Sequence, residues 1–419
     1  MAVTETTTTS WGSRLGSSFK GMLAGLIMFI AGFPLLFWNE GNAVKTARAL
    51  TEGSKSVISI DAAQLDPANE GKLIHLSGMA KTEDLLKDAD FAIEQKGGIR
   101  LVRQVEMYQW QENVKTSEKK KVGGGTETVK TYTYAKTWSS APIASEGFKE
   151  SGHDNPGAFP FEGSEQYAQT VMVGAFTLTE NQIKRIGKSQ PFTFPEGYKV
   201  PETVKGVLQN NVIYIPAIKA KTVVTPAPAA GASLAQAVAN TASNAVAQVA
   251  GAAAAYNPAA PSIGDLRVTF SVVLPHEISV VACQKGSSFV PFTASNGKVI
   301  SLQSDEPRTA EQMFESAKKA NAMLTWILRL VGFLVMYGGL KAILKPIETL
   351  GDVLPFLGTI LGIGTSLVAG VVALVCALVT IAVAWLAYRP LVAVPLLVAA
   401  VALIIYLVGR SKARKEVAA

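Results

Sequence analysis

The sequence predicts an α+β membrane protein with four transmembrane helices, one N-terminal and three C-terminal. A large β-rich extracytoplasmic domain lies between the first and the second. Three observations predict this. Long uncharged runs occupy both ends of the 419-residue chain, and only 17% of its residues are charged, against roughly a quarter in soluble proteins. The charge is also segregated: 29 of the 39 Lys and Arg and 28 of the 32 Asp and Glu lie between Asn39 and Asn321. The formal excess of +7 therefore belongs to the apolar ends, where membrane topology explains it without a nucleic-acid partner. Finally, the middle region alternates apolar and polar residues with period two, most clearly over Leu266 to Val272.

After a cytoplasmic N-terminus (residues 1–20), the first span is residues 21–38. They carry no charge, and 18 helical residues reach roughly the 30 Å of a hydrocarbon core. A cleaved signal peptide is the competing reading, but the run is long and ends in Trp38, Asn39 and Glu40 with no small-x-small site. Residues 39–225 form the first part of the external region. Asn42 to Lys55 can continue the first span outward as helix. Ile99 to Trp110 and Thr126 to Trp138 read as a long hairpin whose tip holds Lys119, Lys120 and Lys121 and three glycines. Aromatic contacts among Tyr108, Trp110, Tyr132 and Tyr134 would stabilise it; a carbohydrate or lipid platform is the functional alternative.

Residues 226–260, with 17 alanines in 35 positions, form an Ala/Pro-rich low-complexity insertion that cannot bury a core. The second external part, 261–321, is β-rich and ends in a helix opened by a capping-box pattern, Thr309 with Gln312. The second span is 322–340. Its internal charge, Arg329, is either a functional group or a side chain snorkelling to the interface, and the latter is the commoner explanation. A cytoplasmic loop (341–352) leads to an uncharged stretch, 353–388, that is too long for one upright span. It predicts an interfacial or tilted segment followed by the third span. The fourth span is 391–408, before a basic cytoplasmic tail (409–419) with the topology determinants Arg410, Lys412, Arg414 and Lys415. The bias of short-loop bases puts both termini in the cytoplasm and the large domain across the membrane. In a bacterium this means the inner membrane with a periplasmic domain; in a eukaryote, the endoplasmic reticulum or inner nuclear membrane.

Little of the sequence points to catalysis. His75, His153 and His276 are not at ligand spacing, Cys283 and Cys376 form no disulfide framework, and no nucleophile motif appears. No metal or other cofactor is expected. The polar cluster His153, Asp154, Asn155 and Glu162 contains groups capable of acid–base work, but its Asn-Pro-Gly core is turn chemistry. Gly358 and Gly362 form a G-x-x-x-G pair suited to helix self-association or to a bend.

The chain resembles the transmembrane protein 43 (LUMA) family, as a bacterial-type member. The likeness is carried by NEGNAVKTARALTEG (39–53), NEGKLIHLSG (69–78), VEMYQW (105–110), the stretch with Tyr132 and Trp138, GHDNPGAF (152–159), GDLRVTFS (264–271), VPF (290–292) and WLAYRPL (385–391). The 226–260 stretch departs from the family pattern. The resemblance implies one span, a large non-cytosolic domain and three further spans. It also implies a membrane-organising or scaffolding role without catalytic residues, since animal members associate with themselves and with nuclear-envelope partners. The expected partners are thus the lipid bilayer, further copies of the chain, and membrane or envelope proteins. The expected function is a self-associating membrane scaffold, with an envelope or lipid-ligand sensor as the alternative.

Overall fold

Three long helices carry the apolar ends of the chain in this computed structural model, which describes residues 3–217, 256–395 and 398. The helices are α1 (Trp11–Ser56), α2 (Glu180–Arg185, short), α3 (Ala310–Gly351) and α4 (Pro355–Tyr388). Among the described residues, α1, α3 and α4 are long and apolar enough to cross a membrane. Each begins or continues as the sequence predicts. α1 runs through the first span to Ser56, and α3 opens with the Thr309–Gln312 capping box and runs without a break into the second span. Within 353–388, where the sequence predicts an interfacial or tilted segment followed by the third span, α4 is a single unbroken helix of 34 residues, about 51 Å at 1.5 Å per residue, long enough to cross only with a tilt or to run on beyond the core. The loop expected at 341–352 is helical as far as Gly351, and the chain reverses only over residues 352–354. Most of the expected fourth span, most of the insertion and Arg410, Lys412, Arg414 and Lys415 lie outside the described residues.

α1 and α3 pack antiparallel along small residues. A Cβ at Gly339 would lie 2.6 Å from the Gly25 carbonyl oxygen, so the two backbones can approach this closely only because glycine stands there. α4 returns beside them, and Leu36, Met336, Ala373 and Ala377 form the buried seam of the three.

The principal strands are β1 (Val3–Thr9), β2 (Leu73–Lys81), β3 (Arg100–Lys120), β4 (Thr126–Ser139), β5 (Leu266–Val273) and β6 (His276–Lys285). One sheet has the order β1-β4-β3-β5, extended by Val212–Ile215 and Val207–Gln209; the second is built on the β2-β6 pair. β5 buries Leu266, Val268, Phe270 and Val272 and turns Arg267, Thr269 and Ser271 outward, as its alternation predicts. Its core also holds Phe91, Leu101 and Met107. The second sheet covers a core around Ile74, Leu76, Ile278 and Val280. A third cluster, with Leu50, Leu73, Val281 and Phe314, joins that sheet to α1 and α3.

The predicted hairpin is β3 with β4, paired from Met107↔Ser139 to Lys120↔Thr126. Its outer half leaves the domain as a polar ribbon, exposed along β3 from Asn113 onward. β1 adds a third strand, from Val3↔Tyr132 to Thr9↔Thr126. The chain therefore runs down β1 to the ribbon tip, turns at Ser10, and climbs back as α1. By sequence, residues 1–20 and the domain belong to opposite sides of a membrane; in the structure, seven residue pairs join them.

Candidate functional site

The charges that the helices bury gather in two layers, one at each end of the bundle. At the domain end, Glu40 follows the first apolar run of α1 and its side chain is fully buried. Arg329 on α3 donates to both its oxygens, Nε at 2.6 Å and Nη2 at 2.9 Å, and the Trp385 indole of α4 donates to Oε2 at 2.8 Å. The guanidinium also lies over the Trp326 ring. This fork geometry satisfies a carboxylate in a place where an unpaired charge would be costly.

At the other end, Asp352 caps α3 with its side chain only 1% exposed. Its Oδ2 accepts from Arg14 of α1 at 2.5 Å, and its Oδ1 from Lys120, at the end of β3, at 2.6 Å. The ribbon tip is held by backbone as well: Gly123 N–H donates to the Val353 carbonyl (3.0 Å), and Arg14 also donates to the Gly124 carbonyl (2.5 Å). The Trp11 ring covers Gly124, whose φ of +79° and missing side chain make room for it. One turn inward, Glu348 pairs with Lys341 (2.8 Å) and Lys345 (3.0 Å) and accepts from the Thr365 hydroxyl. Four segments remote in sequence thus meet on two carboxylates. The arrangement ties α1, α3, α4 and the ribbon tip together through charged and backbone hydrogen bonds.

With this geometry in hand, relatives are informative. The family described as Transmembrane protein 43 matches residues 107–390. The chain belongs to that family. Human Transmembrane protein 43 is 31% identical over 411 residues, covering 95% of this chain and 92% of the human protein. The rat protein is 30% identical over the same shares. The Drosophila melanogaster homologue is 27% identical, over 93% of this chain and 94% of its own. No solved structure matches.

In this Transmembrane protein 43 family member the polar cluster read from sequence is a packing device. His153 stacks on Tyr134 with ring centroids 3.9 Å apart and meets Trp110 edge-on at 4.5 Å. Asn155 clamps Trp110, accepting from its N–H at 2.7 Å and donating to its carbonyl at 2.8 Å. Asp154 and Glu162 are exposed, and the Glu162 carbonyl, not its carboxylate, accepts from Arg103 (2.9 Å). The expected aromatics take other ring partners: Tyr108 packs on Trp138, and Trp110 and Tyr134 close on His153.

Gly358 and Gly362 face α3 of the same chain. A Cβ at Gly358 would overlap the Asp352 side chain, and the Gly362 carbonyl accepts from Lys341 at 3.0 Å. Gly358 is buried in that contact, while Gly362 stays half-exposed. Arg329 does not snorkel; it is the partner of Glu40. The signal for that pair was present in sequence, as one acid ending the first run and one base interrupting the second, but nothing local shows that the two runs are antiparallel at that level. Cys283 is buried, which pushes its thiol up and makes it inert. His75 donates through Nε2 to the Arg308 carbonyl (2.8 Å) and accepts the Ser59 hydroxyl at Nδ1 (3.2 Å). Burial holds its pKa below the usual value.

Proposed function

We propose that this protein is a non-enzymatic, multi-pass membrane scaffold that self-associates through its β-rich domain and its helices. The observation that carries this reading is the double fastening of the domain to the bundle. The Leu50–Phe314 core holds one end and the Asp352–Lys120–Arg14 cluster the other. The domain is thereby presented in a fixed attitude to the membrane, while α3 leaves Trp326, Leu330 and Leu334 uncovered for lipid or for another copy. Arg14, Lys20, Lys341 and Lys345 at the tip end support a cytoplasmic position for that end and an extracytoplasmic domain, across the inner membrane if the source is bacterial. Light scattering on detergent-solubilised protein at micromolar concentration tests the proposal. A mass of several chains is expected, and a monomer defeats it.

A lipid-ligand sensor is the second reading, favoured by a groove of about 750 Å³ between α1 and the chain after α4. Arg48, Lys55 and Arg389, against one acid, Glu52, line it together with apolar Val44, Leu391 and Val392, at the height where headgroups would lie. The basic rim suits a phosphodiester and the apolar floor an acyl chain. Retention of an anionic phospholipid in native mass spectrometry, lost in Arg48→Ala with Arg389→Ala, is the expected result; equal retention by that variant removes the support.

A further inference from the structure

The uncharged stretch of α1 between Lys20 and Asn39 is about 28 Å long at 1.5 Å per residue, the thickness of a hydrocarbon core. The polar ribbon passes the same height. Its tip is pinned at Arg14 and Asp352, while its base lies in the domain core at Leu101, beyond the junction at Leu50. From Arg14 to Leu50 the helix rises about 54 Å, and from Leu101 to Lys120 a strand covers about 63 Å, so the ribbon must run beside the bundle from one end to the other. Val114, paired with Tyr132, which is in turn paired with Val3, stands about 20 Å from the tip and so near the middle of the apolar stretch.

That ribbon is unsuited to lipid. Glu5, Glu112, Lys115, Glu118, Glu127 and Lys130 lie along it, and the outer part of β3 is exposed on both faces. β1 and the outer part of β3 are its two edges, with backbone groups that only water or protein can satisfy. We infer that the ribbon crosses the level of the bilayer inside a water-filled cleft, one wall of which is this chain's helix bundle and the other a second copy of the chain. The inference rests on the self-association proposed above. A single bundle can wall only one side of the ribbon, so its far edge and face need a second wall. Residues 3–9 and 111–133 hold five lysines and four glutamates, a near balance that lets two ribbons face each other across water without strong repulsion.

The test uses the full-length chain in sealed membrane vesicles, with Cys283 and Cys376 replaced by alanine. Single cysteines are then placed at Val299 in the domain, Val114 at mid-ribbon and Val122 at the tip, all exposed positions. A membrane-impermeant maleimide is applied from outside, and again after permeabilisation. Val299→Cys and Val122→Cys are expected to react from opposite faces, and Val114→Cys within about tenfold of the Val122→Cys rate, as for a water-exposed strand. A short bismaleimide should join two copies at position 114. Protection of Val114→Cys from the polar reagent, with reaction towards a lipid-soluble maleimide, overturns the cleft. So does labelling of Val299→Cys and Val122→Cys from one face, because the bundle then does not cross. Light scattering separates the two failures: a monomer removes the self-association reading and this inference together, whereas an oligomer with a protected position 114 removes the cleft alone.

Discussion

Replacing Arg329 by methionine removes two of the three hydrogen bonds to the fully buried Glu40 carboxylate and leaves only Trp385 donating to it. Breaking one side of a buried ion pair costs about 3–5 kcal/mol in soluble proteins. Hydrogen bonds between membrane helices average only about 0.6 kcal/mol, so the expected loss for Arg329→Met is about 2–5 kcal/mol. Glu40→Gln keeps a shape that can still accept from Trp385 but strands the guanidinium, at about 1–3 kcal/mol. The decisive variant is the double Glu40→Gln, Arg329→Met, which buries no charge and should be far more stable than the sum of the two single losses implies. Reversible unfolding in mixed micelles, followed by the fluorescence of Trp326 and Trp385, provides the three values. If the double variant is as unstable as the sum of the single substitutions to within about 0.5 kcal/mol, the two residues are not coupled and the assignment of a buried pair is wrong.

Asp352→Asn should release the ribbon tip, since charge-assisted bonds contribute about 1.5–3 kcal/mol; trypsin cleavage after Lys119 to Lys121 should then accelerate at least about tenfold, and an unchanged rate refutes the clamp. Asn155→Ala leaves the Trp110 N–H without its partner, with an expected cost of about 1–3 kcal/mol read as a lower melting temperature, while Asp154→Ala, at an exposed position, should change nothing. For His75, burial lowers the folded pKa below the ordinary 6.5, so below that pH the unfolded chain binds a proton that the folded one refuses. Stability should therefore be level above about 6.5 and fall as the pH drops beneath it, and His75→Gln should flatten that part of the melting-temperature profile; identical profiles would exclude His75 as the cause.

Much of the fold could be read from the sequence because the informative signals are local. The capping box at Thr309, the alternation over Leu266 to Val272 and the β-prone arms around Lys119 to Lys121 each fixed an element before any packing was considered. What could not be read is the long-range geometry. β1 is a run of threonines with Glu5, and nothing in it says that its partner is the strand from Thr126 to Tyr132. The Glu40–Arg329 pair spans 289 residues. Gly358 and Gly362 give the same small-residue signal whether the neighbouring backbone is another copy or, as here, the preceding helix. The His153 cluster left two readings open for a related reason: polar side chains that complete a turn or a backbone ladder have the same composition as those that move protons, and only their partners tell them apart.

The same 289-residue separation sets a condition on biosynthesis. At about 5–20 residues per second, Glu40 leaves the ribosome some 15–60 seconds before Arg329 exists, and the glycine face of α1 waits as long for α3. Throughout that interval the first helix must reside in the membrane with an unneutralised acid at its end and no mate for its packing seam. A translating ribosome stalled before residue 329 should therefore hold α1 in a state that insertion factors or lipids must tolerate, and the order of synthesis leaves the bundle to close only after the whole β-rich domain has been made.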